Sequence, residues 1–197
     1  MNVSKKIFFN KKILIYGIGK SGISSYHFLK KNNHIYLYDD DQKILKKKSF
    51  KKLLLAKNQI HQIKFDYIVI SPGINFNNCK LKNYLKKKKN IIVTDLDIFY
   101  SHYSKNKIIT VTGTNGKSTT VKLLHKILKK HKKDSRLCGN IGNPILLEKN
   151  VSKKTIFVIE ASSYQIDYSK IFKTNYAIIL NITPDHLERH SSIKNYV

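Results

Sequence analysis

The run TVTGTNGKST at positions 110–119 constrains this chain more than any other feature. A β-rich stretch at 107–111 enters a glycine turn, which opens into a stretch at 117–131 carrying Val121, Leu124, Ile127 and Leu128 on one helical face. A turn placed between strand and helix in this way aims successive backbone N–H groups, and the positive end of the helix, at a single point suited to phosphate oxygens. Gly113, Thr114, Asn115, Gly116, Lys117, Ser118 and Thr119 are therefore the candidate ATP-phosphate cradle. Lys117 is placed to neutralise β- and γ-phosphates, and the Ser118 hydroxyl to ligate Mg²⁺. The commoner form of the motif has a glycine where Val111 stands, so only the compact GxxGK[ST] core is present.

Short β-rich runs alternate with longer helical stretches along the whole chain, the pattern of a parallel sheet covered by helices. The fold class expected is α/β, in two series. The first series has strands at 12–16, 34–38, 65–70 and 90–93, with helices at 21–31, 44–56 and 81–88. The second has an amphipathic piece at 95–103, a strand at 107–111, the helix at 117–131, and strands at 155–159 and 176–181. The division is expected near Thr94, giving domains 1–93 and 94–197. In open α/β sheets ligands gather at the carboxyl ends of strands, and the polar motifs fall at those ends here.

GIGKSG, residues 17–22, matches GxGxxG; it follows a strand, opens a helix and precedes Asp39, Asp40 and Asp41. That arrangement suits a nucleotide, with Asp39 available to a ribose or base, although a tight turn without a ligand fits the same spacing. Glu160 ends the strand IFVIE and is placed to hold a Mg²⁺ that bridges phosphate oxygens; an exposed loop glutamate explains the spacing equally well. His186 follows the strand at 176–181 and is a candidate metal ligand or anion contact. The loop CGNIGNP at 138–144 could offer backbone and amide donors to a diphosphate.

The formal charge of +26 raises the question of a nucleic-acid or membrane partner. Only Arg136 and Arg189 among the 38 basic residues are arginine, and the lysines are scattered rather than gathered in one patch. Asn, Ile, Tyr and Phe, which share A/T-rich codons with Lys, are also plentiful, so codon usage is the expected source and neither partner is expected. Cys79 and Cys138 have neither CxxC nor zinc-ligand spacing, which points to a reducing cytoplasm without disulfide or zinc site. No run approaches the ~20 apolar residues of a membrane helix.

Taken in order, TGTNGKST with Val111 in place of a glycine, GNIGNP, EASSYQ and NITPDH resemble the Mur ligase family. GIGKSG, SPGI and TDLDIFY extend the match upstream to about residue 12, and the combination is most similar to the D-glutamate-adding branch. The alanine-adding branch typically has histidine in place of Asn115 and lacks an SSYQ-like run; folylpolyglutamate synthases begin with the compact phosphate loop. The resemblance implies a Rossmann-like domain that binds the UDP part of the substrate, followed by a partial P-loop-type ATPase domain. It implies that ATP phosphorylates the carboxylate of UDP-N-acetylmuramoyl-L-alanine, and that the amine of D-glutamate attacks the acyl phosphate.

Carried over by motif position, Lys117 and His186 are catalytic, Ser118 and Glu160 hold a first Mg²⁺, and His186 holds a second. Gly17, Gly19, Lys20, Ser21, Gly22, Asp39 and Gly73 lie near uracil and diphosphate, with Asn140 on the diphosphate. The family's carbamylated lysine, the rest of its central domain and its C-terminal domain would all fall after Val197. The isolated chain is therefore expected to lack ligase activity; separately, a monomer is expected. A non-catalytic nucleotide-binding remnant and another Mur ligase are the alternatives. An NAD-dependent oxidoreductase would account for GxGxxG but leave the second loop unexplained.

Overall fold

The computed structural model describes residues 7–45 and 50–196. The elements of the first half are β1 (Lys12–Tyr16), α1 (Lys20–Leu29), β2 (His34–Tyr38), α2 (Gln42–Leu45), α3 (Lys57–Ile60), β3 (Tyr67–Ile70), α4 (Lys82–Lys87) and β4 (Ile92–Val93). The second half comprises α5 (Asp95–Tyr103), β5 (Lys107–Thr112), α6 (Lys117–Lys130), β6 (Ser135–Gly139), β7 (Ile156–Glu160), α7 (Ser163–Tyr168), β8 (Tyr176–Ile179), α8 (Leu187–His190) and α9 (Ile193–Tyr196). Two four-stranded sheets result, in the orders β2-β1-β3-β4 and β6-β7-β5-β8, with parallel pairing throughout. The α/β architecture is the one the alternation implies.

β1 and β7 lie inside their sheets, and Ile13, Leu14, Ile15, Phe157, Val158 and Ile159 are buried on both faces. A parallel strand covered by helices on each side needs such an unbroken apolar run. α6 instead buries one stripe: Val121, Leu124 and Leu128 pack with Val111 and Val158, while Lys122, Lys126, Lys129 and Lys130 face outward. Val111 occupies the sheet interior, so the strand continues one residue further and the phosphate loop is correspondingly short.

The sequence expectation fails at 44–56. Residues 46–49 lie outside the described residues, but Phe50 onward is turn and extended chain rather than helix. Leu54 bridges alongside Leu37, with Leu37 N–H donating to the Leu53 carbonyl and Leu55 N–H to the Leu37 carbonyl. The apolar Leu53, Leu54 and Leu55 are drawn to the open edge of β2, whose backbone groups need partners. At 90–93 the strand shortens to Ile92–Val93, preceded by a 3-10 turn at Lys89–Ile91.

The halves share one core. Ile13, Ile15 and Val69 of the first sheet cluster with Leu96, Ile98 and Phe99 of α5, Ile145 and Leu146, and Phe157 of the second sheet. Phe99 meets Phe157 edge-on at 4.7 Å between ring centroids.

His125, on α6, shares a 3.0 Å hydrogen bond between Nδ1 and the Ser135 hydroxyl. Burial, followed by the nearby Lys129 charge, pushes its pKa below the usual 6.5. The unfolded chain therefore takes up this proton first. Stability contributed by neutral His125 is complete above about pH 6.5 and declines as pH falls below it. In urea unfolding at pH 7.5 and 5.5, His125→Gln should lose less stability on acidification than the parent; an equal loss would contradict this assignment.

Candidate functional site

Strand register assembles the second-half site. Glu160 at the end of β7 stands beside Val111 of β5 and Gly139 of β6, while Thr112 pairs with Ile179 of β8. The turns after these strands consequently meet at one edge. Gly113 has a φ of 135° and a methyl there would press on the Asn181 backbone at 3.0 Å, so the turn requires glycine.

Asn181 clamps the loop. Thr114 N–H donates to its carbonyl at 3.0 Å, Asn115 N–H donates to its Oδ1 at 2.8 Å, and its Nδ2 donates to the Asn115 carbonyl at 3.2 Å. Thr183 N–H adds a bond to the Thr114 hydroxyl at 3.0 Å. Lys117 folds over the turn, its Nζ donating to the Gly113 and Thr114 carbonyls at 2.5 and 2.7 Å. Gly116 caps α6, a helix long enough to present a substantial N-terminal dipole, and Thr119 lies exposed in its first turn.

The Ser118 hydroxyl donates to Glu160 Oε2 at 2.7 Å, and Glu160 is only 4% exposed. A hydroxyl and a carboxylate at that separation offer the hard oxygen donors that Mg²⁺ prefers, with its other positions left to water and phosphate. The donor chemistry thus fits the ion. Asn140 is exposed, and its N–H donates to the Glu160 carbonyl at 3.0 Å. His186 has a φ of 51°; its N–H donates to Asp185 Oδ1 at 2.8 Å, Nε2 lies 3.6 Å from Asp185 Oδ2, and its ring is edge-on to Tyr164 at 5.6 Å. Among the described residues no group of three or more His, Cys, Asp or Glu side chains forms a metal cluster.

In the first half, Tyr16 of β1 pairs with Tyr38 of β2 and Ile70 of β3, bringing Gly17, Asp39 and Ser71 together. A methyl on Gly22 would overlap the Gly17 carbonyl oxygen, so α1 can approach the turn only with glycine there. Gly19 and Lys20 are exposed at the opening of α1. Asp39 is turned inward: it is 7% exposed, and its Oδ2 accepts from Ile18 N–H at 2.6 Å. The carboxylate braces the glycine turn itself. Ser21 is likewise engaged, donating to Asp95 Oδ2 at 2.5 Å.

Gly73 is exposed, and its loop is held from the second half by Arg189, whose Nη1 donates to the Pro72 and Ile74 carbonyls at 2.9 and 3.1 Å. The guanidinium also lies over the Tyr164 ring, 4.1 Å from its centroid. α5 completes the join. Asp97, fully buried, accepts Thr94 N–H on Oδ2 at 2.9 Å, and Lys170, Ile171 and Phe172 N–H on Oδ1 at 2.8, 2.8 and 3.1 Å.

Sequence reasoning passed over Asn181, Asp95, Asp97, Gln165 and Arg189. One signal was present: Ser162-x-x-Gln165 is a capping-box sequence, and it opens α7 with Ser162 N–H donating to Gln165 Oε1 at 3.1 Å.

Residues 11–93 match the model of the Mur ligase MurD-like N-terminal domain, and residues 111–197 that of the Mur ligase middle domain. The chain is 39% identical to UDP-N-acetylmuramoylalanine–D-glutamate ligase of Caldicellulosiruptor saccharolyticus, covering 96% of this chain and 44% of that protein. It is also 39% identical to the Rickettsia bellii ligase of the same name, covering 100% of this chain and 43% of that protein. The chain thus spans less than half the length of these curated relatives. Among solved structures, the UDP-N-acetylmuramate:L-alanyl-gamma-D-glutamyl-meso-diaminopimelate ligase of Neisseria meningitides shares the fold, with a TM-score of 0.55 at 18% identity over 95% of this chain and 65% of that one.

Proposed function

Because the chain belongs to the Mur ligase family, we propose that its two halves are the UDP-substrate-binding and ATP-binding parts of a ligase joining D-glutamate to UDP-N-acetylmuramoyl-L-alanine. The observation that carries this reading is the Ser118–Glu160 hydrogen bond of 2.7 Å beside the GTNGKST turn. It joins a hydroxyl from the first turn of α6 to a carboxylate at the end of β7, a pair suited to a cation, at the mouth of a phosphate cradle. The division at 93/94 into domains 1–93 and 94–197 belongs to the same proposal.

In this reading the α6 N-terminus and the amides of Gly116, Lys117 and Ser118 receive the nucleotide phosphates, as helix N-termini do for anions generally. Lys117 leaves the Gly113 and Thr114 carbonyls to follow the transferring phosphoryl group, whose spreading charge its ammonium stabilises. Ser118 and Glu160 would hold Mg²⁺, which would supply further neutralisation of phosphate charge. Asn181 keeps the cradle in shape, so the donors need little reorganisation as charge develops. His186 serves a second cation, and Asn140 receives the diphosphate. The GIGKSG turn, with Lys20, Ser21 and the exposed Gly73 loop, takes the UDP end, while Asp39 acts by holding the turn in place.

Titration calorimetry with UDP-N-acetylmuramoyl-L-alanine and with Mg–ATP tests the proposal. Both should bind the chain; failure of both would remove it. Binding without turnover is the result expected from a non-catalytic remnant. Glu160→Gln separates the cation role from packing, since an amide oxygen can still accept from Ser118. The parent should bind ATP more tightly with Mg²⁺ than with EDTA, and the variant should show the same affinity in both. A Mg²⁺ enhancement persisting in Glu160→Gln would rule out the assigned ligand pair.

A further inference from the structure

Asp95 has none of the roles assigned so far, yet it touches the machinery of both halves. Its Oδ2 accepts the Ser21 hydroxyl at 2.5 Å, and its Oδ1 accepts Gln165 Nε2 at 3.1 Å. Gln165 Oε1 in turn accepts the Ser162 N–H and hydroxyl at 3.1 and 3.0 Å, and Ser162 lies two residues after Glu160. A continuous hydrogen-bonded series therefore runs from the first turn of α1, beside the exposed Gly19 and Lys20, to the segment that carries the Glu160 carboxylate.

The carboxylate is 5% exposed, and burial pushes its pKa up, opposed by the bonds from Ser21 and Gln165. An apolar side chain of similar size would adhere at this junction with a smaller desolvation cost. What the carboxylate adds is direction: it accepts from two donors on different elements and fixes their relative placement.

We propose that Asp95 is a positioning residue that couples occupation of the GIGKSG turn to the placement of the Ser118–Glu160 pair. A diphosphate settling on the Gly19–Ser21 turn displaces or tightens the Ser21 hydroxyl. Asp95 and Gln165 pass that shift to the start of α7, and so to Glu160. The inference rests on the ligase reading, which supplies the two ligands.

Its test is a pair of calorimetric titrations of the 197-residue chain with UDP, one alone and one with saturating Mg²⁺ and a non-hydrolysable ATP analogue. In the parent the Kd for UDP should change at least about fivefold between the two, within the usual range of coupling between sites. In Asp95→Ala that ratio should fall to about one while each ligand alone still binds. A merely structural role would weaken both ligands and leave the ratio intact.

Gln165→Met is the second variant should Asp95→Ala not fold; it cuts the series beyond Asp95 and leaves the Ser21 bond in place. It should also abolish the ratio. An unchanged ratio in either folded variant overturns the inference, as does a parent that binds both ligands indifferently to each other, and in both cases the ligase reading stands. A parent that binds neither ligand overturns both.

Discussion

Replacing Asp97 by alanine should be the most damaging single substitution at the junction of the two halves, at a cost on the order of 4 kcal/mol. The carboxylate is fully buried and accepts four backbone N–H groups, one at the start of α5 and three from the Lys170, Ile171 and Phe172 turn. Alanine leaves all four without that acceptor, and each buried donor so orphaned costs about 1–3 kcal/mol, less where water can reach it. Set against the roughly 5–15 kcal/mol that stabilises a typical domain, the loss is large enough to lower the urea midpoint markedly. Asp97→Asn should fall between: its oxygen can still serve the 170–172 turn, while its amide would then oppose Thr94 N–H. An alanine variant that melts with the parent would refute the assignment of Asp97 as the staple of this junction.

The second large effect is expected at Lys117. Its ammonium sits over the Gly113 and Thr114 carbonyls, in the turn whose amides face the proposed phosphate site. A hydrogen bond from a charged donor contributes about 1.5–3 kcal/mol, so Lys117→Ala should weaken Mg–ATP binding roughly ten- to a hundredfold. Arginine should not restore it, because the planar fork cannot fold into a turn shaped around a compact ammonium. UDP binding alone should be little changed, which distinguishes a local loss from unfolding. Parent-like ATP affinity in the alanine variant would remove Lys117 from the site.

β1 and β2 fall at the residues expected, 12–16 and 34–38, because β1 carries an unbroken buried apolar run from Ile13 to Tyr16 and β2 is apolar after the exposed His34. The phosphate turn was legible for a similar reason: glycine at positive φ followed by Lys and Ser is a local requirement, written in adjacent residues. β6 escaped notice because Ser135–Gly139 has no apolar period, and only its pairing with β7 makes it a strand. The same holds for the site. Asn181, Asp95 and Arg189 act on residues 66, 74 and 117 positions away, and nothing in their immediate sequence reports such partners. Asp39 was recognised as important, but its spacing could not reveal that the carboxylate turns inward to Ile18 rather than outward to a ligand.

The edge strand β8 gives the chain's charge a different meaning. Tyr176 and Ile179 are 55% and 64% exposed on β8, which among the described residues is an outer strand of its sheet, and a strand so placed can pair with a second copy. Against this stands a formal charge of +26, spread widely enough for any two copies to repel each other. The scattered lysines thus act as a colloidal barrier. That barrier thins as the screening length shrinks, from about 30 Å at 0.01 M salt to about 10 Å at 0.1 M. Raising the ionic strength should therefore favour association of copies of this chain.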